Sequence, residues 1–248
     1  MIFHTTETVC ALTGTHEANL RRWQRRGLIS TENHREGWSD AQLDEIYLIK
    51  AHTAGGASLN EIQWSHTDAV SHRLTGWPAR KGDLLWLLEF GSERALLRSV
   101  RNMAGDFSSE DFINLLMRPL NRWLRDDRRQ GAEQRLERFH HCVILHFYSI
   151  NRAADRNCAT PLFLEAISVT DTTEIWLEAI RLTGEGFCVE ISSEVSETPA
   201  VSQRHYDHHL LWCGAGISKS RYQLYCDSIT AGQPVLLCGT DKQVNEYH

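Results

Sequence analysis

The stretch Asn19–Ser30, NLRRWQRRGLIS, decides how the first third of the chain is read. Four arginines and a tryptophan fall within residues 21–26, and Gly27 stops the run. On a helix, Leu20 and Trp23 stand three positions apart and share one face, so both pack inward. Arg21, Arg22 and Arg25 then point elsewhere. A solvated helix face uses arginines for solubility, whereas a helix that meets phosphate uses them for affinity. Between positions 19 and 35, Arg21, Arg22, Arg25, Arg26 and Arg35 face only Glu32. That local excess of positive charge is what a nucleic-acid surface requires.

The flanking sequence separates the two uses. Thr5 or Thr6 can cap a short helix with Val9 and Leu12 on its inner side, and Gly14 ends it. A second helix starts near Thr15 or His16 and runs to Arg26. Two short helices joined by a tight Gly-containing turn form a helix-turn-helix, whose second helix enters the major groove. Ser30 to Trp38 is polar and turn-like. Ser39-Asp40 restarts a helix on which Leu43, Ile46, Tyr47 and Ile49 recur at helical spacing. Gly55-Gly56 breaks it, and Ser58 caps the next helix, SLNEIQ.

In order, spacing and residue type, LRRWQRRGLI, then HREGWSDAQLDEIYLIKA, then GASLNEI resembles the MerR family of winged-helix regulators over residues 5–63. The resemblance implies a DNA-binding head in which Trp23 anchors the second helix and Arg21, Arg22, Arg25 and Arg26 face the DNA backbone. Arginine suits that task because its planar fork donates two parallel hydrogen bonds to phosphate or to a guanine edge. His16 and Asn19, near the start of the helix, are the candidates for reading bases. The wing falls on STENHREGW, which lacks the family's usual proline and is short. It offers His34 and Arg35.

Composition sets the outer limits. The chain has 248 residues, 42% hydrophobic and 23% charged, which is ordinary for a globular protein. No apolar run approaches the roughly 18–20 residues of a membrane span. MIFHTTETVC lacks the basic start and apolar stretch of a signal peptide. Seven scattered cysteines without a CxxC read as reduced thiols of a cytoplasmic protein. Lys and Arg number 8 against 9 Asp and Glu in residues 1–80, 13 against 11 in 81–157, and 5 against 12 in 158–248. The acidic last third would repel nucleic acid.

The expected architecture is multidomain, α and α/β: a winged helix-turn-helix head over 1–75, a helical bundle over 80–157 and a Rossmann-like parallel sheet domain over 158–248. Residues 65–80 read as a linker. DLLWLLEFG, SERALLRSVRNMA, SEDFINLLMRPLNRWLRD and AEQRLERFHHCVILHFYSINRAADR are four amphipathic segments, with Ser92 and Ser108 as caps and Pro119 as a kink or break. His140, His141 and His146 lack a second ligand pair at zinc spacing and read as core or surface. From Ala159 the period changes to strand-helix alternation, through PLFLEAISV, TDTTEIWLEAIRLTGEG, FCVEISSEV, HHLLWCGAG, SKSRYQLYCDSITAG and QPVLLCGT. Such alternation means an open parallel sheet. RHYDHH, 204–209, reads as a polar loop rather than a metal site. No G-x-S-x-G, P-loop or HExxH occurs, and an enzyme is not expected.

A MerR-type head, a helical bundle and a Rossmann-like end are also the parts of the CarH-type cobalamin-dependent repressors. The stretches NLRRWQRRGLI, DTTEIWLEA and LLWCG are more similar to their cobalamin-less relatives, the MlrA- and BluR-type regulators of enterobacterial biofilm genes. In cobalamin modules of this type, D-x-H-x-x-G follows the first strand. Here Asp171 keeps its place, but Thr173 stands for the cobalt-ligating His and Trp176 for the Gly. After the fourth strand only DKQVNEYH remains, where the full module continues through a fifth strand and helix. The resemblance therefore implies a degenerate site with no cofactor. The regulator would bind double-stranded DNA as a homodimer, and a regulatory protein on its C-terminal domain would control it. The alternative is a sensor of cobalamin or another small molecule.

Overall fold

The computed structural model describes residues 3–30, 37–65, 76–196, 198–200 and 206–245. The chain divides into two compact units, residues 1–120 and 121–248.

In the first unit, β1 (Phe3–His4) pairs antiparallel with β2 (Trp38–Ser39) around α1 (Thr6–Thr13) and α2 (Glu17–Arg25). Then come α3 (Asp40–Ala54) and α4 (Leu59–Ser65). Each start has a cap. The Thr5 hydroxyl accepts from Thr8 N at 3.2 Å, and Ser39 with Gln42 forms a capping box. Ser58 and Glu61 cap α4 in the same reciprocal way. Gly14 ends α1 in the left-handed region, φ +61°. The core of these helices is Val9, Leu20, Trp23, Ile29, Trp38, Leu43, Ile46, Ile49, Leu59 and Ile62.

Beyond this core lie α5 (Gly76–Phe90), α6 (Glu93–Asp106), α7 (Ser109–Asp111), a π-helical stretch over Phe112–Met117 and α8 (Arg118–Asp126). Two expectations are corrected here. The linker expected up to residue 80 gives way to helix at Gly76, because Pro78 lies in the first turn of α5, where its missing N–H is harmless. Pro119 does not break its helix. The turns before it widen to π geometry, with Arg118 N bonding Ile113 O, so the carbonyl that the ring would strike is already displaced. The caps at Ser92 and Ser108 are formed.

The second unit packs α9 (Ala132–Arg156) beside an α/β layer. The order is β3 (Thr160–Ser168), α10 (Thr172–Gly184), β4 (Phe187–Ser192), β5 (His208–Cys213), β6 (Ile217–Ser218), α11 (Lys219–Thr230), β7 (Val235–Cys238) and β8 (Val244–Asn245). Four strands form one parallel sheet in the order β4-β3-β5-β7. Residues 162–167 of β3 are buried without interruption, as a strand covered on both faces must be. The fold is thus mixed helical and α/β. His208 and His209 open β5, as the strand read in HHLLWCGAG does, and His209 meets a buried carboxylate there. The short parallel pair β6–β8 was not expected, since two residues carry no readable period.

Asn151 of α9 closes one edge of the sheet. Its amide donates to Val189 O and accepts from Val189 N, both at 2.8 Å, as a neighbouring strand would.

Candidate nucleic-acid interface

Helix α2 is short, and its orientation rests on Leu20 and Trp23, 0% and 4% exposed. His16 is its N-cap: Nδ1 accepts from Ala18 N at 3.2 Å, so Nε2 is turned away from the helix start. His16 is exposed and Asn19 half-buried. Arg22 and Arg25 in the last turn also offset the negative end of the helix dipole.

The four arginines divide into two pairs. Arg21 and Arg25 are exposed. Arg21 pairs with Glu17 one turn back at 2.5 Å, and Arg25 Nε donates to Arg21 O at 3.3 Å. Arg22 and Arg26 lie one position on and are half-buried. Arg22 Nη2 donates to Asp106 Oδ1 at 2.6 Å, Arg26 Nη1 donates to Asn60 Oδ1 at 2.9 Å, and Arg26 Nη2 is 4.0 Å from Asp106. Sequence grouped all four as one phosphate-facing set; the structure turns Arg22 onto the end of α6. No local signal could have found this, because the partner is 84 residues away. His34 and Arg35 lie outside the described residues.

The C-terminal positions singled out by the cobalamin comparison are all engaged within their own unit. Asp171 caps α10, accepting from Thr173 N at 2.9 Å through Oδ1. Its Oδ2 takes Asn121 Nδ2 at 2.5 Å and Arg125 at 3.2 Å. Thr173 is buried, with Oγ1 3.0 Å from His140 Nδ1. Burial holds the His140 pKa below its ordinary value, against the pull of Asp171. Trp176 packs against Phe147 and Tyr148, with ring centroids 5.3 and 5.7 Å apart. Those three rings form one wall of a cleft of about 800 Å³ that continues past Asn151 and Val189 to Cys158. Among the described residues no three His, Cys, Asp or Glu converge as a ligand set for a metal. All seven cysteines are free thiols.

Residues 5–64 match the family of MerR HTH regulatory proteins, and residues 160–235 match the C-terminal domain of transcriptional regulator MlrA. The chain is a MerR-family, MlrA-like regulator. No curated protein matches it. A MerR-type helix-turn-helix makes it a DNA-binding transcriptional regulator, and α2 is the second helix of that motif. Among the described residues no helix is long and apolar enough to cross a membrane.

Proposed function

We propose that this MerR-family regulator is a cytoplasmic, homodimeric winged-helix protein that reads paired half-sites on double-stranded DNA. Arg21 and Arg25 grip phosphates, His16 and Asn19 reach base edges, and His34 and Arg35 belong to the wing. The observation that carries this reading is the exposed Arg21–Arg25 pair on a helix pinned by Trp23. Dimerisation is argued from size, since one short head buries too little DNA surface for ordinary specific affinity. Three sequence domains, 1–75, 80–157 and 158–248, would divide the work. The all-parallel order β4-β3-β5-β7 supports a Rossmann-like last domain. With 5 basic against 12 acidic residues, that domain suits a regulatory protein better than nucleic acid. The MlrA likeness points to biofilm genes as targets, and regulation rather than catalysis as the task.

The test is binding to duplex DNA across a salt series. Arg25→Ala should weaken specific and non-specific binding alike and flatten the slope of log K against log salt by about 0.9 per lost phosphate contact. Unchanged affinity and slope in both Arg21→Ala and Arg25→Ala would remove the basis of the reading.

A second reading, a small-molecule sensor, is favoured by the aromatic wall of the cleft. We hold that control is ligand-independent. Thr173 is already bonded to His140, and threonine offers cobalt no nitrogen. Titration with adenosylcobalamin should leave the visible spectrum and the gel-filtration volume those of the separate components. Stoichiometric uptake would establish the sensor instead.

A further inference from the structure

We propose that Asp106 withholds part of the DNA-binding helix, so that the Arg22–Asp106 ion pair is a latch that holds Arg22 back from DNA. This rests on the reading of α2 as the phosphate-facing helix.

Asp106 is the last residue of α6, where the unpaired carbonyls of the helix end add negative character that attracts cations. Its side chain is only 13% exposed. Burial raises its pKa, and the neighbouring Arg22 and Arg26 oppose that rise. A carboxylate so placed needs a cation, and α2 supplies two: Arg22 at 2.6 Å and Arg26 at 4.0 Å. The residue before it makes room. A Cβ at Gly105 would lie 1.6 Å from Arg22 Nη1, so any larger side chain would displace the guanidinium. Gly105 is thus a moulded seat for Arg22, and Asp106 is its anchor.

On α2, Arg22 and Arg26 are one turn apart and share a face, while Arg21 and Arg25 share the adjacent one. Helix α6 therefore takes Arg22, Arg26 is shared with Asn60 of α4, and Arg21 and Arg25 stay exposed. The pair can open, because 24% of the Arg22 side chain remains in contact with water. A phosphate offers the guanidinium the same bidentate partner as a carboxylate does. DNA and Asp106 then compete for Arg22, and whatever shifts α6 relative to α2 sets the outcome. Asp106 and Gly105 are positioning residues of the DNA-binding apparatus, although neither belongs to the helix-turn-helix.

The test uses the full chain and a non-specific duplex, by fluorescence anisotropy over several salt concentrations. Asp106→Asn removes the charge and keeps the shape. It should tighten binding roughly tenfold and steepen the salt slope by about 0.9 for one released arginine. Gly105→Ala keeps every charge but evicts Arg22, and should act in the same direction. It also serves as the measurement if Asp106→Asn does not fold. Arg22→Ala should cancel the gain in the Asp106→Asn background.

Unchanged affinity and slope in both variants would overturn the latch. Weakened binding by folded Asp106→Asn would overturn it too, since Asp106 would then be presenting Arg22 to DNA. The two proposals separate cleanly: loss of binding in Arg25→Ala together with no gain in Asp106→Asn refutes the latch alone, and silence in Arg21→Ala and Arg25→Ala refutes the phosphate-facing helix itself.

Discussion

Arg22 and Arg221 are the same side chain in two regions of one molecule. Arg22 pairs with Asp106 where the two side chains are 24% and 13% exposed. Arg221 of α11 pairs with Glu165 of β3 at 2.5 Å where they are 4% and 2% exposed. Around Glu165 the bonding is fuller: His209 Nε2 lies at 2.9 Å and Ala200 N donates at 2.9 Å. Water weakens the first pair and lets it exchange partners. Nearly dry surroundings strengthen the second and make either partner costly to leave alone. One arrangement suits a contact that has to open, and the other suits a fixed staple between a sheet and its covering helix.

The sharpest way to test that contrast is to damage each region separately. Trp23→Ala in the head should cost about 3–5 kcal/mol, the range for removing a buried aromatic side chain. Differential scanning calorimetry should show the head's transition lost or shifted far down, with the transition of residues 121–248 kept. An intact first transition would mean that Trp23 does not hold α2. In the second unit, Glu165→Gln should cost about 1.5–3 kcal/mol, because it removes the charge from hydrogen bonds that Arg221 and His209 make to it. The effect should appear in that unit's transition alone.

Acid should expose the same staple. Burial alone would raise the Glu165 pKa, but the hydrogen bonds from His209, Ala200 and Arg221 outweigh it and hold the value below normal. A depressed folded-state pKa contributes stability that is present above the unfolded value, about 4.3, and is lost as pH falls through the folded value. The native second unit should therefore lose stability more steeply below pH of about 4.3 than Glu165→Gln does. Parallel pH profiles for the two proteins would show that the pair is not what acid breaks.

The head was legible in the sequence because its signals are local. Leu20 and Trp23 reveal their face by spacing, and Ser39, Ser58, Ser92 and Ser108 announce helix starts by residue type. The four strands of the sheet could be read from their apolar runs in PLFLEAISV, FCVEISSEV, HHLLWCGAG and QPVLLCGT. What could not be read was long-range or compensated. Asp106 at the end of an amphipathic helix looks like any surface carboxylate until Arg22 is brought to it. Pro119 implied a break because nothing in FINLLM advertises a wider turn. Glu165, a lone acid inside an apolar run, was the one visible hint of the buried pair.

Asn151 gives the sheet a direction. With Val189 already satisfied on both its backbone groups, β4 is a finished border: a foreign strand arriving there would first have to evict a side chain fixed by two hydrogen bonds. No such guard stands beside β7 among the described residues, and Leu236 there is 62% exposed. The layer is therefore asymmetric, with a side-chain guard at one edge and none at the other among the described residues.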